Sequence, residues 1–174
     1  MKKFILLILL TQFILAKEVY FMPQEGKKAE KRLAYLYTHA HKSIKIAIYS
    51  FTNKKLSTSL KKAAKKGVKI YIVADKKEAR YKRSVIPNLA TIRNINIKLI
   101  SGKRYKNGNR AKMHVKLSII DDKYIVTGSA NYSYSAFYKN YEYLIIEKDK
   151  ELIKRFNKFF DTLSKNAKPY RLSK

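Results

Sequence analysis

Residues 113–142 read MHVKLSIIDDKYIVTGSANYSYSAFYKNYE and hold the side chains best suited to chemistry. There is an imidazole at His114, an ammonium at Lys116 and a donor-rich turn, Gly128-Ser129-Ala130-Asn131. If residues 113–120 form a strand, alternation puts His114, Lys116 and Ser118 on one face and Val115, Leu117 and Ile119 on the other. A nucleophile and a cation then share a surface. A neutral imidazole is a good nucleophile, and its ordinary pKa of about 6.5 leaves much of it neutral at pH 7. Asp121, Asp122 and Lys123 read as a turn into a second strand over 124–127, which the Gly128-Ser129-Ala130-Asn131 segment breaks to open a short helix. Backbone N–H groups at a helix start, with the Ser129 hydroxyl and the Asn131 amide, suit a phosphate oxygen.

The complete pattern, His114-x-Lys116-x4-Asp121 followed by Gly128-Ser129-x-Asn131, resembles the signature of the phospholipase D superfamily. A single copy in a short chain resembles its small bacterial endonucleases, the Nuc-type branch. The resemblance implies that His114 attacks a phosphodiester to give a phosphohistidine, while Lys116, Ser129 and Asn131 bind the nonbridging oxygens. It implies no metal and no cofactor. Asp121 is carried over by the motif as a catalytic candidate, although its place in a turn equally suits a structural ion pair. Glu142 falls where the small nucleases carry a glutamate that hydrogen-bonds the nucleophile and fixes its tautomer. The leaving group needs a second histidine, and neither His39 nor His41 sits in a matching motif; both read as surface histidines. Single-motif relatives solve this with a two-fold homodimer, so His114 is expected to face its own copy.

Composition points to a polyanionic partner. Lys and Arg total 40 against 12 Asp and Glu in 174 residues, a formal charge of +28. Nucleic acid is the first expectation and an anionic membrane the second. With no cysteine, disulfides and thiolate metal sites are excluded. Residues 1–16 start with Lys2-Lys3, run apolar from Phe4 to Leu10 and reach Ala16, as a signal peptide or an N-terminal anchor does. Export to the periplasm or cell envelope is expected, with membrane association if the leader stays. The phospholipase D-like nuclease domain is expected over 17–164, followed by a frayed basic tail over 165–174.

The elements that must position the motif follow from periodicity. Strands are expected at 19–22, 43–49, 68–74, 95–100 and 141–146. Helices are expected over 29–40, from the Asn53 cap to Gly67 with Leu56, Leu60, Ala63 and Ala64 inward, and through Leu152, Phe156, Phe160 and Leu163. The strand, helix, strand order before residue 74 implies parallel pairing. The fold class is α/β: a single-domain mixed, largely parallel sheet flanked by helices on both faces. Residues 101–112 form a mobile basic rim, in which Lys103, Arg104, Arg110 and Lys112 contact nucleic-acid backbone. Of Tyr132, Tyr134, Phe137, Tyr138, Tyr141 and Tyr143, most are expected to pack and one or two to stack on unpaired bases, favouring single-stranded DNA. No base-reading motif is visible. The expected function is therefore an exported, metal-independent, sequence-nonspecific endonuclease on DNA, with RNA a further candidate substrate, in DNA uptake or scavenging. The alternatives are a cardiolipin-type phosphodiesterase at a membrane and a non-catalytic DNA-binding or uptake module.

Overall fold

The computed structural model describes residues 17–171. The expected leader, residues 1–16, and the last three residues of the tail lie outside them. One eight-stranded sheet runs through the molecule in the order β1-β7-β6-β5-β2-β3-β4-β8. Its strands are β1 (Glu18–Met22), β2 (Ser43–Ile48), β3 (Lys69–Asp75), β4 (Ile95–Ile100), β5 (Lys116–Ile120), β6 (Tyr124–Gly128), β7 (Glu142–Glu147) and β8 (Lys168–Pro169). The helices are α1 (Gly26–Thr38), α2 (Lys54–Lys65), α3 (Ile86–Leu89), α4 (Tyr134–Tyr138) and α5 (Lys150–Asn166).

The sheet is mixed, but parallel pairing is confined to β2 with β3 and β3 with β4. Every other neighbouring pair is antiparallel, which corrects the expectation of a largely parallel sheet. The parallel neighbours are the ones a helical crossover joins, β2 to β3 through α2 and β3 to β4 through α3, whereas β5 and β6 are joined by a tight hairpin. Its turn residues Asp121 and Asp122 both have positive φ, at 54° and 53°, and the Lys123 N–H closes back on the Ile120 carbonyl at 2.9 Å. Ile120 pairs with Tyr124 across this three-residue turn, and short polar side chains tolerate its left-handed backbone.

Helices cover both faces. Leu33, Leu36 and Tyr37 of α1 and Leu56 and Leu60 of α2 pack on Ile44, Ile46, Ile48, Ile70 and Ile72. On the opposite face, Ile153 and Phe160 of α5 pack on Ala47, Val73, Leu117, Ile119 and Ile125. All five residues of β5 are consequently buried. The caps are as the sequence dictates: Asn53 accepts from the Leu56 N–H at 3.0 Å, and Asp149 from the Leu152 N–H at 2.6 Å. Over its described residues, 165–171, the tail is not frayed. α5 runs to Asn166, β8 adds to the β4 edge, and the Tyr170 N–H reaches the Ile97 carbonyl at 2.9 Å.

One polar contact joins the helices to one another and a second holds the helical layer to the sheet. The Glu30 carboxylate, only 5% exposed, accepts from Asn53, Lys55 and Tyr138, so α1, α2 and α4 meet on one charge. Burial pushes its pKa up, yet these donors outweigh burial and hold it below the usual range. The Ser118 hydroxyl, fully buried on β5, lies 2.6 Å from the Tyr37 hydroxyl and 2.6 Å from that of Tyr132. Replacing Ser118 by Ala strands two buried phenols, and should lower unfolding free energy by about 1–3 kcal/mol in a urea titration, with an unchanged slope.

Candidate active site

The site forms where the sheet's two orientations meet. Parallel β2, β3 and β4 end at one rim of the sheet; antiparallel β5 and β7 begin there and β6 ends there. The rim thus collects Tyr49 after β2, Asp75 at the end of β3, Lys116 at the start of β5, Ser129 after β6 and Glu142 at the start of β7. Open α/β sheets put their ligand crevices at this end.

His114 lies in extended chain two residues before β5, not inside a strand from 113 as expected, but the alternation survives. Val115 packs toward α5 with Leu117 and Ile119, whereas Ser118 faces α1. Lys116 Nζ sits 3.0 Å from His114 Nδ1 and donates to the His114 carbonyl at 3.0 Å. The imidazole is tilted against the Tyr49 ring, with centroids 4.6 Å apart. Lys112 and Lys116 bring their Nζ atoms within 5.5 and 5.4 Å of that ring's centroid.

This arrangement has an electrostatic consequence. The His114 pKa lies below its ordinary value, first because the ring edge against Tyr49 and Lys116 is desolvated and then because of the charges of Lys116 and Lys112. Glu142 and Asp75 oppose the shift and lose. The outer part of the ring stays open to solvent. Lys116 is itself depressed, mainly by burial, and Glu142 partly offsets this. A neutral imidazole beside an ammonium without a carboxylate partner is an anion site with a nucleophile in it.

Gly128 lets β6 touch β7: a Cβ there would fall 2.2 Å from the Tyr143 carbonyl oxygen. The contact pins Ser129, whose N–H donates to the Tyr143 carbonyl at 3.1 Å and whose Oγ accepts from the Tyr143 N–H at 3.1 Å. The Ser129 hydroxyl donates its proton to Glu142 Oε2. Two expectations are thereby corrected. Glu142 hydrogen-bonds Ser129 rather than His114, and acts on the imidazole only through its charge. Ser129 has no hydroxyl proton left for a phosphate while Glu142 holds it. The Asn131 Oδ1 is buried with no hydrogen-bond partner among the described residues. The segment does not open a helix either, since α4 starts at Tyr134 behind the Ser133 cap.

Asp121 is not brought to the site. At about 3.3 Å per residue it lies roughly 20 Å along the chain from His114, at the opposite end of β5. Its carboxylate accepts from the N–H groups of His41, Lys42 and Ser43 at 2.8, 2.7 and 3.0 Å. It therefore ties β5 to the start of β2, through backbone rather than the expected ion pair. His39 stacks on Tyr35 at the surface, and neither it nor His41 approaches His114.

The basic rim is an ordered hairpin, with Arg104 paired to Arg110 and the Gly102 N–H donating to the Ala111 carbonyl at 2.8 Å. Lys112 joins the site, Arg110 lines a neighbouring cleft, and Lys103 and Arg104 are exposed on the hairpin. Of the aromatics, Tyr132 and Phe137 are core, Tyr138 binds Glu30, and Tyr134, Tyr141 and Tyr143 are exposed.

Sequence reasoning missed Tyr49 and Asp75. Tyr49 is the imidazole's wall; buried Asp75 accepts from the Met113 N–H at 3.0 Å and so sets the chain entering His114. The one available signal was their position at the ends of the predicted parallel strands. Among the described residues no three His, Asp or Glu side chains group to hold a metal. Replacing Lys116 with Met removes a charge that depresses His114, so the His114 Hε1 titration followed by NMR should move to higher pH than in the wild type.

Comparison with known proteins agrees with this geometry. The family model described as cardiolipin synthase, PLD-like domain matches residues 34–164. NucT from Helicobacter pylori is 33% identical, with a TM-score of 0.86 over 90% of this chain and 99% of that one. Nuc from Salmonella typhimurium, a phospholipase D family member, shares the fold at 23% identity and a TM-score of 0.73, over 90% and 99% of the two chains. The mitochondrial cardiolipin hydrolase of Danio rerio is 26% identical over 133 residues, 76% of this chain and 56% of that protein. The chain spans little more than half the length of that relative. The chain belongs to the phospholipase D superfamily, and within it to the Nuc-type branch.

Proposed function

We propose that the protein is an exported, metal-independent, sequence-nonspecific endonuclease that hydrolyses DNA, with RNA a further candidate substrate, through a His114 phosphoenzyme in a two-fold dimer. The observation that carries this reading is the His114–Lys116 pair, an ammonium 3.0 Å from the imidazole at an open rim. The formal charge of +28 and the likeness to NucT support a nucleic-acid substrate. The composition of residues 1–16 supports export, and with it a role in DNA uptake or scavenging.

In this mechanism an incoming phosphodiester draws Lys116 off the imidazole and onto a nonbridging oxygen. The freed ring lone pair attacks phosphorus; the P–N bond forms as the bond to the leaving oxygen breaks. His114 of the partner subunit, protonated, gives its proton to that oxygen. Water then attacks phosphorus and passes a proton to the same imidazole, and the P–N bond breaks. Glu142 stabilises the cationic phosphoimidazolium by its charge and holds Ser129 in place, and the Asn131 amide borders the phosphate. The chain has three histidines; His39 stacks on Tyr35 and His41 lies beside Asp121 at the other end of β5, which supports a second copy as the source of the second imidazole.

The runner-up substrate is a phospholipid, favoured by the match to the cardiolipin synthase family model and the likeness to a cardiolipin hydrolase. Purified protein offered labelled oligonucleotide and labelled cardiolipin should cleave the first and leave the second, without loss of rate in EDTA; the reverse preference would sink the endonuclease reading. His114→Ala should lose roughly 10³-fold or more in cleavage while still binding DNA. In sedimentation at assay concentration the active species should be a dimer, and a fully active monomer would remove the two-imidazole mechanism.

A further inference from the structure

Beside the site, the ends of β3 and β4, the hairpin and β8 enclose a cleft of about 510 Å³ lined by Lys76, Arg80, Arg110, Asn166, Lys168 and Arg171. We propose that this cleft is a second phosphate-binding station, which takes the backbone of the substrate strand a short way from the scissile phosphate. The proposal deepens the endonuclease reading and rests on it.

The cations converge from separate elements. Lys76 follows β3, Arg80 closes the 3-10 turn over Glu78–Arg80, Arg110 comes from the hairpin, and Lys168 and Arg171 come from the docked tail. All are exposed, and among the described residues none pairs with a carboxylate. The nearest buried acid offers no relief, because the Asp75 carboxylate accepts from the backbone N–H groups of Lys77, Glu78 and Met113. Like charges gathered in a concavity repel one another until an anion enters, and field lines concentrate there.

Placement ties the cleft to the reactive centre. Asp75 and Lys76 are adjacent, and Asp75 holds Met113, the residue before His114. On the other wall Arg110 lines the cleft and Lys112 stands over Tyr49. Two residues of extended chain span about 7 Å, so a strand leaving Lys116 meets Lys112 and then Arg110 within a few nucleotides. The Asn166 amide adds a neutral donor. A flexible polyanionic chain fits such a concavity. A bilayer would instead need a protruding basic face with apolar side chains to insert, and none of the exposed large hydrophobic residues lines this cleft.

The test compares Lys168→Ala/Arg171→Ala, and separately Lys76→Ala, with wild type on a labelled oligonucleotide and on bis(p-nitrophenyl) phosphate. The small diester reports on chemistry and folding without reaching the cleft. The ratio of oligonucleotide to small-diester kcat/KM should fall at least about tenfold in the double variant, carried by KM. The slope of log KM against log salt should shrink by about 1.5 for two lost contacts on a single strand. An unchanged ratio and slope in both variants overturn the proposal. So does an unchanged ratio accompanied by lost binding to cardiolipin vesicles, which would give the cleft to a lipid surface. Wild-type protein that binds but never cleaves the oligonucleotide would sink the endonuclease reading alone. Fluorescence anisotropy on the same variants then decides the cleft, weaker binding supporting it and equal binding rejecting it.

Discussion

Lys116 carries an ammonium that is 6% exposed and has no carboxylate partner, and the site is arranged around that imbalance. Removing a cation from water is costly unless something replaces the lost solvation. Here the replacements are partial: the His114 carbonyl, the His114 Nδ1 lone pair and the face of Tyr49. None is an anion, so the shortfall is met only when one arrives. After burial, the same ammonium lowers the pKa of His114, so in the proposed reaction the nucleophile and the anion site are one device.

That device requires a rigid base, which the covered sheet supplies. β5 is buried along its whole length between α1 and α5, and Ser118 fastens it to Tyr37 and Tyr132. Asp121 fastens its far end to the start of β2. With the strand held at its middle and its end, the residues just before it have little freedom, and Asp75 removes more by taking the Met113 N–H. An acid once considered for chemistry thus serves geometry, and an acid that no motif marked does the same nearer the site.

The fold was largely legible because its signals are local. Asn53 caps α2, inward leucines repeat at helical spacing, and β-branched runs end at turn residues. The sheet's direction was misread because strand order is not local: a crossover between β2 and β3 says nothing about β5, which inserts beside β2 in the opposite sense. The same limit hid Tyr49, whose neighbour His114 is distant in sequence and adjacent only through β2–β5 pairing. The tail read as frayed because Lys168 and Pro169 carry no strand signal; the open edge of β4 supplies it.

The resting site also explains why the donor set differs from the motif's implication. In the chain as it stands Ser129 gives its proton to Glu142, and the buried Asn131 Oδ1 has no donor. An unpaired buried acceptor costs on the order of 1–3 kcal/mol, and a half-turn of that amide would exchange it for the Nδ2 donor. The proposed reaction therefore has two rearrangements available, Lys116 leaving the imidazole and the Asn131 amide turning. In that proposed reaction each exchanges a contact that is poor without substrate for one that is good with it, so binding free energy is spent on the rearrangement itself.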